Sequence, residues 1–128
     1  MSGMDFDDML YLCKIEFQND STLLNKWRER YEYILIDEYQ DINPIQYELI
    51  HMLTHNKQNL FVVGDDDQSI YGFRGSDGEC FKKLLKDYKD TKVYYLNVNY
   101  RCTDSIVKAS QRLISKNKKR RLKTCMSE

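Results

Sequence analysis

The chain has 128 residues, 41% of them hydrophobic and 31% charged, and its 20 acidic and 20 basic side chains cancel to a formal net charge of zero. That length supports one domain with a core but not two comfortable ones, and the composition excludes a disordered or membranous chain. No apolar run approaches the roughly 20 residues that cross a bilayer and no charged-then-apolar leader opens the chain, so a cytoplasmic protein without a membrane partner is expected.

In chain order, Phe6, Met9, Leu10, Cys13 and Phe17 recur at helical spacing behind Asp5, which is placed to cap, so residues 5–18 are expected to form an amphipathic helix. A second short helix is expected after Ser21, with Leu23, Leu24, Trp27 and Tyr31 on its apolar face. The period then changes. "YILID" (33–37), "LFVVG" (60–64) and "KVYYLN" (92–97) are short runs of β-branched and aromatic residues bounded by polar residues or glycine, the pattern of buried strands in a parallel sheet. Between the first two lies "NPIQYELIHMLTH", where Asn43 suits the N-cap, Pro44 the first helical position and Gln46 the capping-box position. Between the second and third, "DGECFKKLLKDY" repeats a helical pattern through Phe81, Leu84, Leu85 and Tyr88, and after the third Thr103 can cap a helix bearing Ile106, Val107, Leu113 and Ile114. This alternation predicts an α/β fold, a parallel sheet flanked by helices, with ligands bound beyond the carboxyl ends of the strands. The domain is read as residues 4–123, with 124–128 as a tail.

The four cysteines, Cys13, Cys80, Cys102 and Cys125, lie far apart without a C-x-x-C pair, so neither a zinc site nor a disulfide framework is signalled. Zero net charge conceals two poles: residues 1–48 hold 11 acids against 4 bases, and residues 101–128 hold 2 against 9. A basic end permits contact with nucleic acid, although a solvated basic helix gives the same pattern.

Each expected strand ends in a polar cluster, "DEYQD" (37–41), "GDDDQSIYGFRG" (64–75) and "NVNYRC" (97–102). Asp37 could hold a magnesium ion, which keeps most of its waters and takes one or two carboxylates, while Glu38 orients and deprotonates a water; read alone, such a pair is more often a solvated loop. The amide of Gln68 can donate to one oxygen and accept from another, as a sensor of a terminal phosphate must. Arg101 offers a bidentate fork for phosphate and Tyr100 a flat face for a base, though each alone also suits an ion pair or a core aromatic. Tyr71, Phe73 and Arg74, in a Gly-flanked loop, suit stacking with single-stranded bases, or a turn that buries its aromatics.

Taken together, the clusters are more specific than any one of them. "ILIDEYQDINPIQ" resembles motif II of the UvrD/Rep family of superfamily 1 DNA helicases, "VVGDDDQSIYGFRGSD" its motif III and "LNVNYRC" its motif IV, while "DFDDML" resembles the lead-in before motif II. The resemblance implies an ATP-driven 3′ to 5′ motor on single-stranded DNA and a partial RecA-like P-loop NTPase domain. It implies that Asp37, with Glu38 beside it, meets Mg2+, that Glu38 is the catalytic base, and that Gln68 couples the γ-phosphate to the DNA site. Tyr100 would stack on adenine, Arg101 would contact the γ-phosphate, and Tyr71, Phe73 and Arg74 would lie along the DNA. Three residues depart from the family's pattern. Tyr39 stands where Phe is more usual, a change read as mild; Phe73 replaces the Trp of several relatives; and Cys102 replaces Ser.

No G-x-x-x-x-G-K-[ST] occurs in the sequence, and none of its five glycines is spaced as a phosphate cradle. The chain is therefore expected to be the back half of a first motor domain, lacking the phosphate-loop strand and inactive alone, whose partners would be the missing front half and the second motor domain. In the family that strand separates the other two, so "LFVVG" and "KVYYLN" are expected either to pair directly or to self-associate through an exposed sheet edge. The alternative is a non-enzymatic module that binds single-stranded DNA or a helicase partner.

Overall fold

A computed structural model describes residues 3–54, 59–70, 79–117 and 123–128 of the chain. They form five α-helices and four short strands, in two compact units, Met1–Tyr88 and Lys89–Glu128. The architecture is α/β with two small parallel sheets.

In the first unit, α1 (Phe6–Asn19) starts at a reciprocal capping box, the Asp8 N–H donating to Asp5 Oδ1 at 2.8 Å and the Asp5 N–H to Asp8 Oδ2 at 3.1 Å. Its apolar stripe is covered only toward its C-terminal end: Phe17 is buried, whereas Phe6 and Met9 are exposed. Helix α2 (Ser21–Arg30) is capped by Asp20 and is tied to α3 (Pro44–Thr54) by a 2.7 Å hydrogen bond from Arg28 Nε to the Met52 carbonyl. At the start of α3, Asn43 and Gln46 exchange side-chain to backbone bonds of 2.9 Å in both directions, the capping box the sequence predicts. Helix α3 packs against both α1 and α2.

Strands β1 (Ile34–Ile36) and β2 (Leu60–Val62) pair in parallel, with Ile34 opposite Leu60 and Ile36 opposite Val62. Side chains alternate across a strand, so Ile36, Leu60 and Val62 pack on the core while Leu35 and Phe61 on the opposite face stay 72% and 60% exposed. The core itself consists of Tyr39, Ile42 and Tyr47 with Cys80, Leu84 and Tyr88 from α4 (Cys80–Asp87) and its end. A polar belt crosses it: Tyr47 Oη donates to Asp87 Oδ2 at 2.5 Å, and Tyr88 Oη meets both Thr54 Oγ1 and, at 3.3 Å, His51 Nδ1. Burial, and then the bond to Asp87, hold the Tyr47 hydroxyl far above the ordinary tyrosine range.

The second unit corrects one expectation. Residues 92–97 form no strand and are exposed throughout, Tyr94 to 80% and Leu96 to 91%. β-propensity measures how side chains fit against a neighbouring strand, and this segment has no ladder partner among the described residues. The strand begins after it: β3 (Val98–Asn99) pairs in parallel with β4 (Met126–Ser127), which lies in the stretch expected to be a tail. The ladders among the described residues are β1 with β2 and β3 with β4. Helix α5 (Asp104–Ile114) packs on β4; Gln111 Nε2 donates to the Cys125 carbonyl, and Ser127 Oγ to Asp104 Oδ1 at 3.3 Å. The Lys108 ammonium, 2.6 Å from Asp104, is the main cause holding that carboxyl below its ordinary range.

Tyr39 corrects a second expectation. Its side chain is fully buried against Phe81, ring centroids 5.2 Å apart, and its hydroxyl has no hydrogen-bond partner among the described residues. The extra oxygen relative to Phe is therefore not a mild change, because a buried unpaired hydroxyl forfeits its hydration without return. Tyr39→Phe should raise stability to urea by about 1 kcal/mol, read as a higher unfolding midpoint at unchanged slope. Gly64 carries the opposite expectation. A Cβ there would come 2.6 Å from Gln40 Oε1 and 3.0 Å from the Tyr39 backbone nitrogen. Gly64→Ala should lower stability by about 1–3 kcal/mol, in the same urea experiment.

Candidate nucleotide and nucleic-acid site

Beyond the carboxyl ends of β1 and β2 the chain makes two tight turns. After β1, Asp37 and Glu38 are followed by a 3₁₀ turn, Tyr39–Asp41; after β2, Gly64 and Asp65 lead into another, Asp66–Gln68. The backbone laces the two together, the Val63 N–H donating to the Ile36 carbonyl at 2.8 Å and the Tyr39 N–H to the Val63 carbonyl at 2.9 Å. Parallel pairing thus brings two of the three expected clusters to one sheet end, as the sequence predicts.

Asp37 and Glu38 are both exposed. The Glu38 N–H donates to Asp37 Oδ1 at 2.9 Å, and Gln40 Nε2 donates to Glu38 Oε2 at 2.6 Å, which leaves each carboxylate a second oxygen for another partner. Glu38 sits in the left-handed region, φ 50 and ψ 42, a conformation that costs a non-glycine residue about 1–3 kcal/mol and persists only where neighbours impose it. On the opposite turn, Asp65 accepts from the Asp67 N–H at 3.0 Å and from Gln68 Nε2 at 2.9 Å, so the exposed Gln68 amide is anchored beside the same turn. The carboxylates of Asp65, Asp66 and Asp67 come within 4.8 Å of one another.

Between the turns lies Gln40, 2% exposed, whose Oε1 accepts the Asp65 N–H at 2.9 Å while its Nε2 holds Glu38. Neither charge nor aromaticity marks this residue in the sequence. The signal that could have found it is an amide set between an acidic pair and a helix start, where a buried polar group must be satisfied on both sides.

Tyr100 and Arg101 belong to the second unit and are exposed, Tyr100 to 76%. Their turn is set by Asn99, whose Oδ1 accepts the N–H groups of Arg101 at 2.9 Å and Cys102 at 2.8 Å. This is an Asx-type turn that the sequence reading also missed. Tyr71, Phe73 and Arg74 lie outside the described residues. A cleft of about 320 Å³ does occur in the first unit, lined by Tyr47, Glu48, His51, Lys83 and Asp87 among others. None of the strand-end residues named above borders it.

Residues 1–89 match the family model described as the UvrD/REP helicase N-terminal domain. The chain belongs to the UvrD/REP helicase family. It is 49% identical over 123 residues to YjcD of Bacillus subtilis (strain 168), covering 96% of this chain and 16% of the relative. It is 42% identical over 114 residues to the ATP-dependent DNA helicase Rep of Buchnera aphidicola subsp. Schizaphis graminum, 89% of this chain and 17% of that protein. It is 39% identical over 121 residues to the ATP-dependent DNA helicase PcrA of Staphylococcus epidermidis, 94% of this chain and 17% of that one. The chain therefore spans about a sixth of the length of these UvrD/REP relatives. Among its described residues no helix is long and apolar enough to cross a membrane.

In this member of the UvrD/REP family the Asn99 turn is open to a direct check. Asn99→Ala removes the shared acceptor and should cost the turn about 1 kcal/mol. Hydrogen exchange at the Arg101 and Cys102 amides should quicken while that at Phe17 in α1 is unchanged.

Proposed function

We propose that the chain is a section of the first, RecA-like motor domain of an ATP-dependent 3′ to 5′ DNA helicase, carrying the family's motifs II, III and IV. The observation that best supports this is the joined pair of turns after β1 and β2, where an exposed Asp-Glu pair and an anchored Gln stand at one parallel sheet end, the place where α/β sheets bind ligands.

In this reading Asp37 holds Mg2+. Its carboxylate is a hard oxygen donor, exposed, with one oxygen free of described partners, which fits the one or two carboxylates that magnesium takes beside phosphate oxygens. Bound there, the ion would neutralise charge on the phosphates. Glu38 orients a water with its free oxygen and accepts the proton, while its other oxygen is fixed by Gln40. Gln68 meets the terminal phosphate. Arg101 supplies a bidentate fork for the charge that grows there, and Tyr100 offers its exposed ring to the base. Tyr71, Phe73 and Arg74 take the single strand by stacking and charge. The 128 residues hold no phosphate loop, so the chain alone binds nucleotide weakly and does not turn it over.

A chimera tests these roles in a working setting, with this chain replacing the matching 114-residue stretch of the Buchnera Rep helicase, to which it is 42% identical. The chimera should hydrolyse ATP when single-stranded DNA is added. Glu38→Gln and Arg101→Ala within it should each lower kcat by about a hundredfold or more, with DNA binding kept. Phe73→Ala and Arg74→Ala should weaken DNA binding. Full ATPase activity in the Glu38→Gln chimera would overturn the assignment of the base. Binding of single strands by the 128-residue chain itself, with an inert chimera, would support the non-enzymatic module instead.

A further inference from the structure

We propose that Gln40 is a positioning residue, whose buried carboxamide locks Glu38 to the turn that carries Gln68, so that the two turns report on each other's state. Its catalytic meaning rests on the function proposed above; the coupling itself does not.

Three independent features carry it. First, both ends of the amide are engaged, and by complementary partners: the NH₂ faces a carboxylate at 2.6 Å and the carbonyl faces a backbone N–H at 2.9 Å. Rotating the amide by half a turn would set oxygen against carboxylate and NH₂ against N–H, so only one orientation satisfies the site. Second, the side chain is 2% exposed, so water cannot replace either bond, and an amide left half-satisfied there is more costly than an apolar side chain. Third, the space for it depends on an absent side chain, because a Cβ on Gly64 would fall 2.6 Å from Gln40 Oε1. The far turn is held again by Ser69 Oγ, which donates to the Gln40 main-chain carbonyl at 3.4 Å.

The physical consequence is a relay of three hydrogen bonds. Pulling Glu38 Oε2 away from Nε2, or taking its charge away, changes the polarisation and position of the same amide whose oxygen fixes the Asp65 N–H. Asp65 in turn anchors the Gln68 side chain at 2.9 Å. A change at the carboxylate therefore arrives at Gln68 without passing through the strands.

The test uses the 128-residue chain, nitrogen-15 labelled, with no nucleotide or DNA. Glu38→Ala should displace the Asp65 and Gln68 amide resonances while leaving Asp20 and Leu23 at the start of α2 unmoved. Repeated in a Gln40→Met background, which keeps the volume and removes both hydrogen bonds, the displacement should be lost. A residue that only fills space would leave the effect of Glu38→Ala the same in both backgrounds. Equal displacement in both would overturn the relay, and so would no displacement with Gln40 present, a result that needs no Gln40 variant to fold. Since no turnover is read, failure here leaves the helicase assignment standing, and an inert chimera leaves the relay standing.

Discussion

The first unit depends on one buried amide. Gln40 sits where β1 and β2 both end; its side-chain carbonyl accepts the Asp65 N–H across the gap, beside the backbone bond from the Tyr39 N–H to the Val63 carbonyl, while its NH₂ holds Glu38 within the first turn. Most of the local oddities of the sequence follow from housing it. A Cβ on Gly64 would crowd the Gln40 oxygen at 2.6 Å. Glu38 lies in the left-handed region with its carboxylate bonded to Nε2. That backbone strain, of order 1–3 kcal/mol, is comparable with a charge-assisted hydrogen bond of about 1.5–3 kcal/mol, so the two roughly offset.

The surrounding core shows why such a polar lock is needed. The β1–β2 ribbon buries one face only, and Leu35 and Phe61 on the other face are open. A two-stranded ribbon is marginal without further packing. The helices α3 and α4 supply that packing on the inner face, through Tyr47, Leu84 and Tyr88 and through hydroxyl bonds that tie Tyr47 to Asp87 and Tyr88 to Thr54. Here polar groups join elements that a small apolar core would hold less specifically, and each buried hydroxyl costs nothing only while its partner is in place. Tyr39 shows the converse, a hydroxyl with no described partner in the same cluster.

Much of this was legible in the sequence wherever the signal is local. The capping boxes at Asp5 and Asn43, the parallel strands "YILID" and "LFVVG", and the position of the acidic pair at a strand end all rest on residues within a few positions of one another. What was not legible depends on partners distant in sequence. "KVYYLN" has the composition of a strand, but composition cannot supply a neighbour, and Leu96 ends up 91% exposed. Met126 and Ser127 give no strand signal at all and become one by meeting Val98 and Asn99. Gln40 and Asn99, both neutral amides, each set a turn in its own unit through backbone N–H groups, and neither charge nor aromaticity marks them. Tyr39 was misjudged for the same reason, since one added oxygen matters only when burial is known.

The two carboxylates at the end of β1 are adjacent in sequence yet held in different ways. Asp37 is fixed by a backbone N–H from the next residue, a bond that stays as long as the turn stays. Glu38 is fixed by a side-chain amide whose other end belongs to a second turn. In the proposed roles this difference is useful. A group that holds a metal ion gains from a rigid anchor, because the ion's geometry is demanding. A group that takes up a proton changes charge during the reaction, and its contacts must change with it. An amide that donates to the charged form and is itself attached to the neighbouring turn converts that change in charge into a change in position. The same residue that makes the turn stable thus makes it responsive, and it does so at the junction where the proposed chemistry on one side faces the anchored Gln68 on the other.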